Sequence, residues 1–238
     1  MPHSHIVSSF DEDLNQLRSR IFNMAELVSK QFSEAEKALV ERDLTLANLV
    51  RENDKQVDQM EIEIEKTAIE LIATRAPMAD DLREIISAIK ISNALERVGD
   101  YAKNLSKRVV VLNETKNFDA NYSVISQMID IVNNMNKDVI DAYINRKSDK
   151  ALSVWSRDLV VDNLYDTLFR ELLTYMMENP KYITPATHLL FVAKNIERAG
   201  DHITNIAELI YYIVEGKPLE LTRPKGDNSS ETNVEFGD

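Results

Sequence analysis

The sequence has no cysteine. No disulfide and no thiolate metal site can therefore form, which fits a reducing compartment. Glycine and proline are scarce, with five and six among 238 residues, against average usage of about 7% and 5%. A sheet protein with many tight turns needs more of both, so the shortage favours long helices. Positive charge is also in deficit: 28 Lys and Arg face 40 Asp and Glu, for a net charge of −12. That balance argues against nucleic acid, whose phosphates need clustered Lys and Arg. It argues equally against a basic patch on an anionic leaflet. The longest apolar runs, Leu189–Ala193 and Leu209–Val214, fall far short of the ~18 residues of a membrane span. The start, Met-Pro-His-Ser-His-Ile-Val, has neither the cationic nor the apolar region of a secretory signal. A cytoplasmic protein that meets membranes only through partners is the expectation. There is also no Ser-His-Asp constellation, no Gly-rich phosphate loop and no nucleotide fingerprint.

What is present is helical periodicity. Phe10, Leu14, Leu17, Ile21, Met24 and Val28 recur in steps of three and four, the seam of a bundled helix. Asp43 can close that helix and cap the next, which carries Leu46, Val50, Val57, Met60, Ile64 and Leu71. Pro77 ends it, because proline disfavours helical geometry in the preceding residue. A third stripe follows: Leu82, Ile91, Leu95, Val98, Ala102, Leu105 and Val109. Residues 113–119 read as a polar link, and then the plan restarts. Ile125, Met128, Val132, Met135 and Val139 form a fourth stripe; Val161, Leu164, Leu168 and Leu172 a fifth. Ser148 or Asp149 is positioned to cap the fifth helix. Asn179-Pro180 ends it, and the sixth runs through Leu189, Val192, Ile196, Ala199, Ile203 and Ile206 to Gly216.

The expected fold is all-α: six long helices as two pseudo-symmetric three-helix bundles, since short loops make sequential helices antiparallel neighbours. Residues 1–7 read as a tail. Residues 8–112 and 120–216 read as the two repeats. Residues 217–238, polar and rich in Pro, Gly, Ser and Asn, read as disordered.

The repetition is sharpest in one acidic motif. Residues 96–105 are Glu-Arg-Val-Gly-Asp-Tyr-Ala-Lys-Asn-Leu, and residues 197–206 are Glu-Arg-Ala-Gly-Asp-His-Ile-Thr-Asn-Ile. Two such copies mark an internal duplication. Glu96 and Asp100 are four apart and share a helix face, as do Glu197 and Asp201. A second pair recurs one helix earlier, Asp54 and Asp58 matching Asp158 and Asp162. Gly99 and Gly200 sit mid-helix, where glycine costs about 1 kcal/mol against alanine; close approach by a backbone or ligand is the reason to expect them there.

Two readings of these faces stay open. Carboxylates opposite a core seam can simply be solvated or salt-bridged, because like charges four apart cost only about 0.2–0.5 kcal/mol. Alternatively, four carboxylates from two helices can hold a hard cation such as Mg²⁺, Mn²⁺, Ca²⁺ or iron. Zinc is less natural, since His202 has Tyr101 as its counterpart. The Glu-x-x-His di-iron signature is absent. A carboxylate-bridged hydrolase and a purely structural scaffold are the rival functions.

At these residues the sequence resembles the PhoU family of phosphate-transport regulators, over about residues 8–216. The marks are the doubled Glu-Arg-x-Gly-Asp, the run Arg75-Ala76-Pro77-Met78-Ala79-Asp80-Asp81-Leu82-Arg83, and Leu173-Thr174-Tyr175-Met176-Met177-Glu178. Ala76 departs from the family, which commonly has Gln there. The resemblance implies two pseudo-symmetric three-helix bundles and acidic motifs that hold iron or zinc clusters. Carried over, the ligands are Glu96, Asp100, Glu197 and Asp201 with Asp54, Asp58, Asp158 and Asp162. It also implies a non-enzymatic cytoplasmic regulator, often dimeric. Such a regulator links the ATPase of the phosphate ABC transporter to a sensor histidine kinase and restrains the phosphate-starvation response.

Overall fold

The computed structural model describes residues 2–115, 118 and 122–221, with side chains from residue 10 onward. Six α-helices account for nearly all of it, with no strand among the described residues: α1 (Pro2–Glu41), α2 (Leu44–Arg75), α3 (Asp80–Glu114), α4 (Ser123–Ile144), α5 (Ser148–Glu178) and α6 (Ile183–Glu215). Helices α1–α3 pack as one bundle and α4–α6 as the other. The two are joined chiefly along α3 and α6, with α1 also reaching α4. Each apolar stripe expected from the sequence faces a core, and Leu17, Ile21, Met24, Val57, Leu95, Met128, Val161 and Ile196 are all buried.

The helix ends follow local chemistry. The Asp43 side chain accepts hydrogen bonds from the backbone N–H groups of Thr45 and Leu46 at 2.9 and 3.0 Å, satisfying two orphan donors of α2. α2 stops two residues before Pro77, with Ala76 in the left-handed region as its C-cap. Asn179 accepts from Lys181 N–H and starts the 3₁₀ turn Pro180–Tyr182. Gly216, at φ 73°, closes α6 with its N–H donating to the Tyr212 carbonyl.

Three local expectations are revised. α1 begins at Pro2, so residues 2–7 are helical rather than a tail. Proline is well suited to a first helical position, where its fixed φ helps and its missing N–H is not needed. Ser148 is the first residue of α5 and Asp149 lies in its first turn, with Lys147 at the N-cap making no side-chain cap. The link is less polar than its composition: Phe118 is buried, its ring centroid 6.1 Å from Tyr175 and 5.3 Å from Tyr182. Burying one aromatic ring outweighs the polarity of its neighbours. Residues 222–238 of the expected C-terminal tail lie outside the described residues.

One buried charge ties the bundles together. Glu84 on α3 is 2% exposed. It accepts two hydrogen bonds from Arg18 of α1, at 2.6 and 2.8 Å, and one from Arg146 beyond α4, at 2.6 Å.

Candidate functional site

The repeated carboxylates are not spread over a solvated face. In the first bundle Asp54 is buried on α2, with Asp58 half-buried one turn later. Across from them stand Glu96 and Asp100 of α3, both half-buried. The Lys103 ammonium donates to Asp54 and, at 2.6 Å, to Asp100 Oδ1, so it bridges the two helices. Burial raises the Asp54 carboxyl above its ordinary value, and Lys103 offsets part of that rise. Glu96 is pushed up to about 7, first by burial and then by the Asp100 charge; Arg97 opposes this, while Glu61 and Asp58 add to it. Arg97 itself lies 3.4 Å from Glu96 Oε2 and 3.6 Å from Asp100 Oδ2.

The second bundle repeats the arrangement more deeply. Asp158, Asp162 and Glu197 are buried, and Asp201 is half-buried. Glu197 is pushed up to about 7 by burial, which Lys194 opposes and the Asp201 and Asp162 charges reinforce. Lys194 donates to Glu197 Oε1 at 3.0 Å and sits 4.9 Å over the Tyr165 ring. Glu197 Oε2 is buried without a hydrogen-bond partner among the described residues.

The two glycines permit this closeness. A Cβ on Gly99 would come within 3.2 Å of Val57 Cγ1 and of Gln31 Oε1. On Gly200 it would come within 3.1 Å of Asp158 Oδ1. The Asp158 carboxylate of α5 thus reaches α6 where Gly200 leaves no side chain, while at Gly99 the absent side chain admits Val57 of α2 and Gln31 of α1. Between the acidic clusters the duplicated helices meet at their own counterparts: the Tyr101 hydroxyl lies 3.4 Å from His202 Nε2, with ring centroids 5.7 Å apart.

All eight carboxylates named from the sequence thus fall into two groups, one per bundle. Sequence reasoning missed the two lysines. Lys103 has Thr204 as its counterpart, and Lys194 has Asn93. Each acidic cluster therefore holds one ammonium, at a different position in each repeat. The signal was there to read, since these are places where the duplicated motifs differ in charge. The donor set, all carboxylate oxygen with one buried oxygen to spare, fits a hard cation in its chemistry. It is not preassembled: among the described residues no three Asp, Glu or His side chains converge as a ligand set.

Comparison with known proteins agrees with the duplication. The family model for the PhoU domain matches residues 9–109 and again 125–210. The phosphate-specific transport system accessory protein PhoU homolog of Rhizobium meliloti (strain 1021) is 46% identical over 230 residues, covering 97% of each chain. The homolog of the same description from Caulobacter vibrioides (strain NA1000 / CB15N) is 46% identical over 223 residues, covering 94% of this chain and 97% of its own. The crystal structure of PhoU from Pseudomonas aeruginosa superposes with a TM-score of 0.84 at 39% identity, covering 87% of this chain and all of the other. That of the phosphate transport system regulatory protein PhoU from Streptococcus pneumoniae gives 0.82 at 29% identity, covering 89% of this chain and all of its own. With both halves of the chain matched and the six-helix architecture shared, the protein belongs to the PhoU family.

Proposed function

We propose that this chain is a cytoplasmic negative regulator of phosphate uptake and of the phosphate-starvation response. It acts without catalysis, as an adaptor between the ATPase of the phosphate ABC transporter and a sensor histidine kinase, and works as a homodimer. The observation that carries this reading is the two-fold PhoU match across the chain, together with relatives described as accessory proteins of a phosphate-specific transport system. Long helices with a net charge of −12 offer rigid acidic faces for basic partner surfaces. No helix of the described residues is long and apolar enough to cross a membrane.

Deletion of the gene should make phosphate-starvation genes constitutive. Reporter expression that stays repressed in high phosphate in the deletion strain would end the regulatory reading.

The acidic clusters are proposed to take up a hard cation, Mg²⁺, Mn²⁺ or iron before zinc, through Glu96, Asp100, Asp54 and Asp58 in one bundle and Glu197, Asp201, Asp158 and Asp162 in the other. Burial first, and neighbouring carboxylate charge after it, push Glu96 and Glu197 up to about 7, which supports this reading. A bound cation would supply countercharge there. Protein purified without a His-tag should carry metal that a Glu96→Ala/Asp100→Ala/Glu197→Ala/Asp201→Ala variant lacks, as measured by elemental analysis. Equal content in the two rules the cation out.

A further inference from the structure

Beside the first acidic cluster lies a feature that the second bundle does not share. Arg51 and Lys55 are one turn apart on α2, and Lys103 and Lys107 one turn apart on α3. The four line one open groove of about 440 Å³. Lys103 is held by Asp54 and Asp100. The others are not so held: among the described residues no salt bridge includes Arg51, Lys55 or Lys107. Arg51 and Lys107 bond only to neutral amides, Asn48 Oδ1 at 3.2 Å and Asn104 Oδ1 at 2.9 Å.

The duplication supplies an internal control. The matching positions in the second bundle are Trp155, Leu159, Thr204 and Glu208. There the Trp155 indole N–H donates to Glu208 Oε1 at 3.0 Å, and every cation of the first groove is gone. The cationic groove is thus a property of one repeat and not of the shared fold.

We propose that this groove binds hydrogen phosphate as the free anion. Guanidinium and ammonium groups lining one groove from two helices are the donors that such an oxyanion needs. Glu52, Asp54 and Asp58 line the same groove, and these carboxylates give the specificity. Asp58 is half-buried there and in no salt bridge among the described residues. An ionised carboxylate only accepts hydrogen bonds. Hydrogen phosphate has a proton to give it, whereas sulfate has none and meets only like-charge repulsion. A groove with cations alone would take either anion; this one favours the protonated one. The inference rests on the phosphate-linked reading above and goes beyond it by placing the signal's own anion on this chain.

The test is equilibrium dialysis of the full chain with radiolabelled inorganic phosphate near pH 7.5, with chelator present. One saturable site per chain is expected, with sulfate competing at least 10-fold more weakly. Arg51→Ala/Lys107→Ala should weaken phosphate binding at least 10-fold, while Asp58→Asn should remove the preference over sulfate. The cations replaced are exposed, and unchanged circular dichroism melts would show that the fold is intact. Lys55→Gln serves as a milder second variant. Glycerol 3-phosphate should compete poorly; stronger competition by the ester than by phosphate overturns the assignment to the free anion. Absence of saturable binding, or binding untouched by the double substitution, also overturns it. Dialysis reads the purified chain and the deletion strain reads regulation, so either reading can fail without the other.

Discussion

Glu84→Ala should lower the free energy of unfolding by about 3 kcal/mol, measured by chemical denaturation at pH 7. Glu84 is buried and accepts from two arginines on different elements. Removing one member of a buried ionic network costs roughly 3–5 kcal/mol, because the remaining charges lose their partner. The lower end applies here, since Arg18 and Arg146 retain 24% and 39% of their side-chain exposure and can turn toward water. For a chain of this size the loss corresponds to a fall in Tm of roughly 6–12 °C. Glu84→Leu combined with Arg18→Met should cost less than Glu84→Ala alone, because a network removed together leaves less charge unpaired. A Glu84→Ala midpoint within about 0.5 kcal/mol of wild type would show that the bundles are joined without it.

Glu96→Gln/Glu197→Gln should stabilise the chelator-treated protein above neutral pH and not below pH 4.5. Both glutamates are raised from 4.5 to about 7 in the fold. A carboxyl whose folded value exceeds its unfolded value binds its proton more tightly when folded. Wild-type stability therefore falls as pH rises from about 4.5 to about 7, and the full penalty stands above that. Each pKa unit is worth 1.36 kcal/mol, so a gain of roughly 1–3 kcal/mol per glutamate is expected at pH 8. At pH 4 both glutamates are protonated in the fold and mostly protonated in the unfolded chain, and the variant should come close to wild type. A difference that is the same at pH 4 and pH 8 would mean that packing, not charge, sets the effect. Added Mn²⁺ should narrow the gap at pH 8 by stabilising the wild type alone.

Much of this architecture was legible in the chain. The three-and-four steps of Leu14, Leu17 and Ile21, the cap at Asp43, the break at Pro77 and the stop at Gly216 are local signals, and each lies where the chemistry of the neighbouring residues puts it. The doubled motif named four of the carboxylates, and the acidic pair repeated one helix earlier named the other four. Their burial was less legible. A helical wheel sets Glu96 and Asp100 opposite the Leu95–Val98 stripe, a face that faces solvent in a lone three-helix bundle. α3, however, packs against α1, α2 and α6 together, so little of its surface remains free. That depends on contacts between residues a hundred apart, which periodicity does not report. Part of the role of Lys103 was hidden for the same reason, its partner Asp54 being 49 positions away, whereas Lys194 lies only three positions from Glu197 on one helix. Phe118 was masked by the polar residues around it.

The meeting of Tyr101 with His202 limits how far the two halves are interchangeable. Those positions are copies of one ancestral position, now occupied by different rings that fit each other across the axis. A protein assembled from two first halves would press phenol against phenol there, and one from two second halves imidazole against imidazole. Divergence there makes the seam between the halves unlike on its two sides, so neither half is a plain copy of the other at the axis.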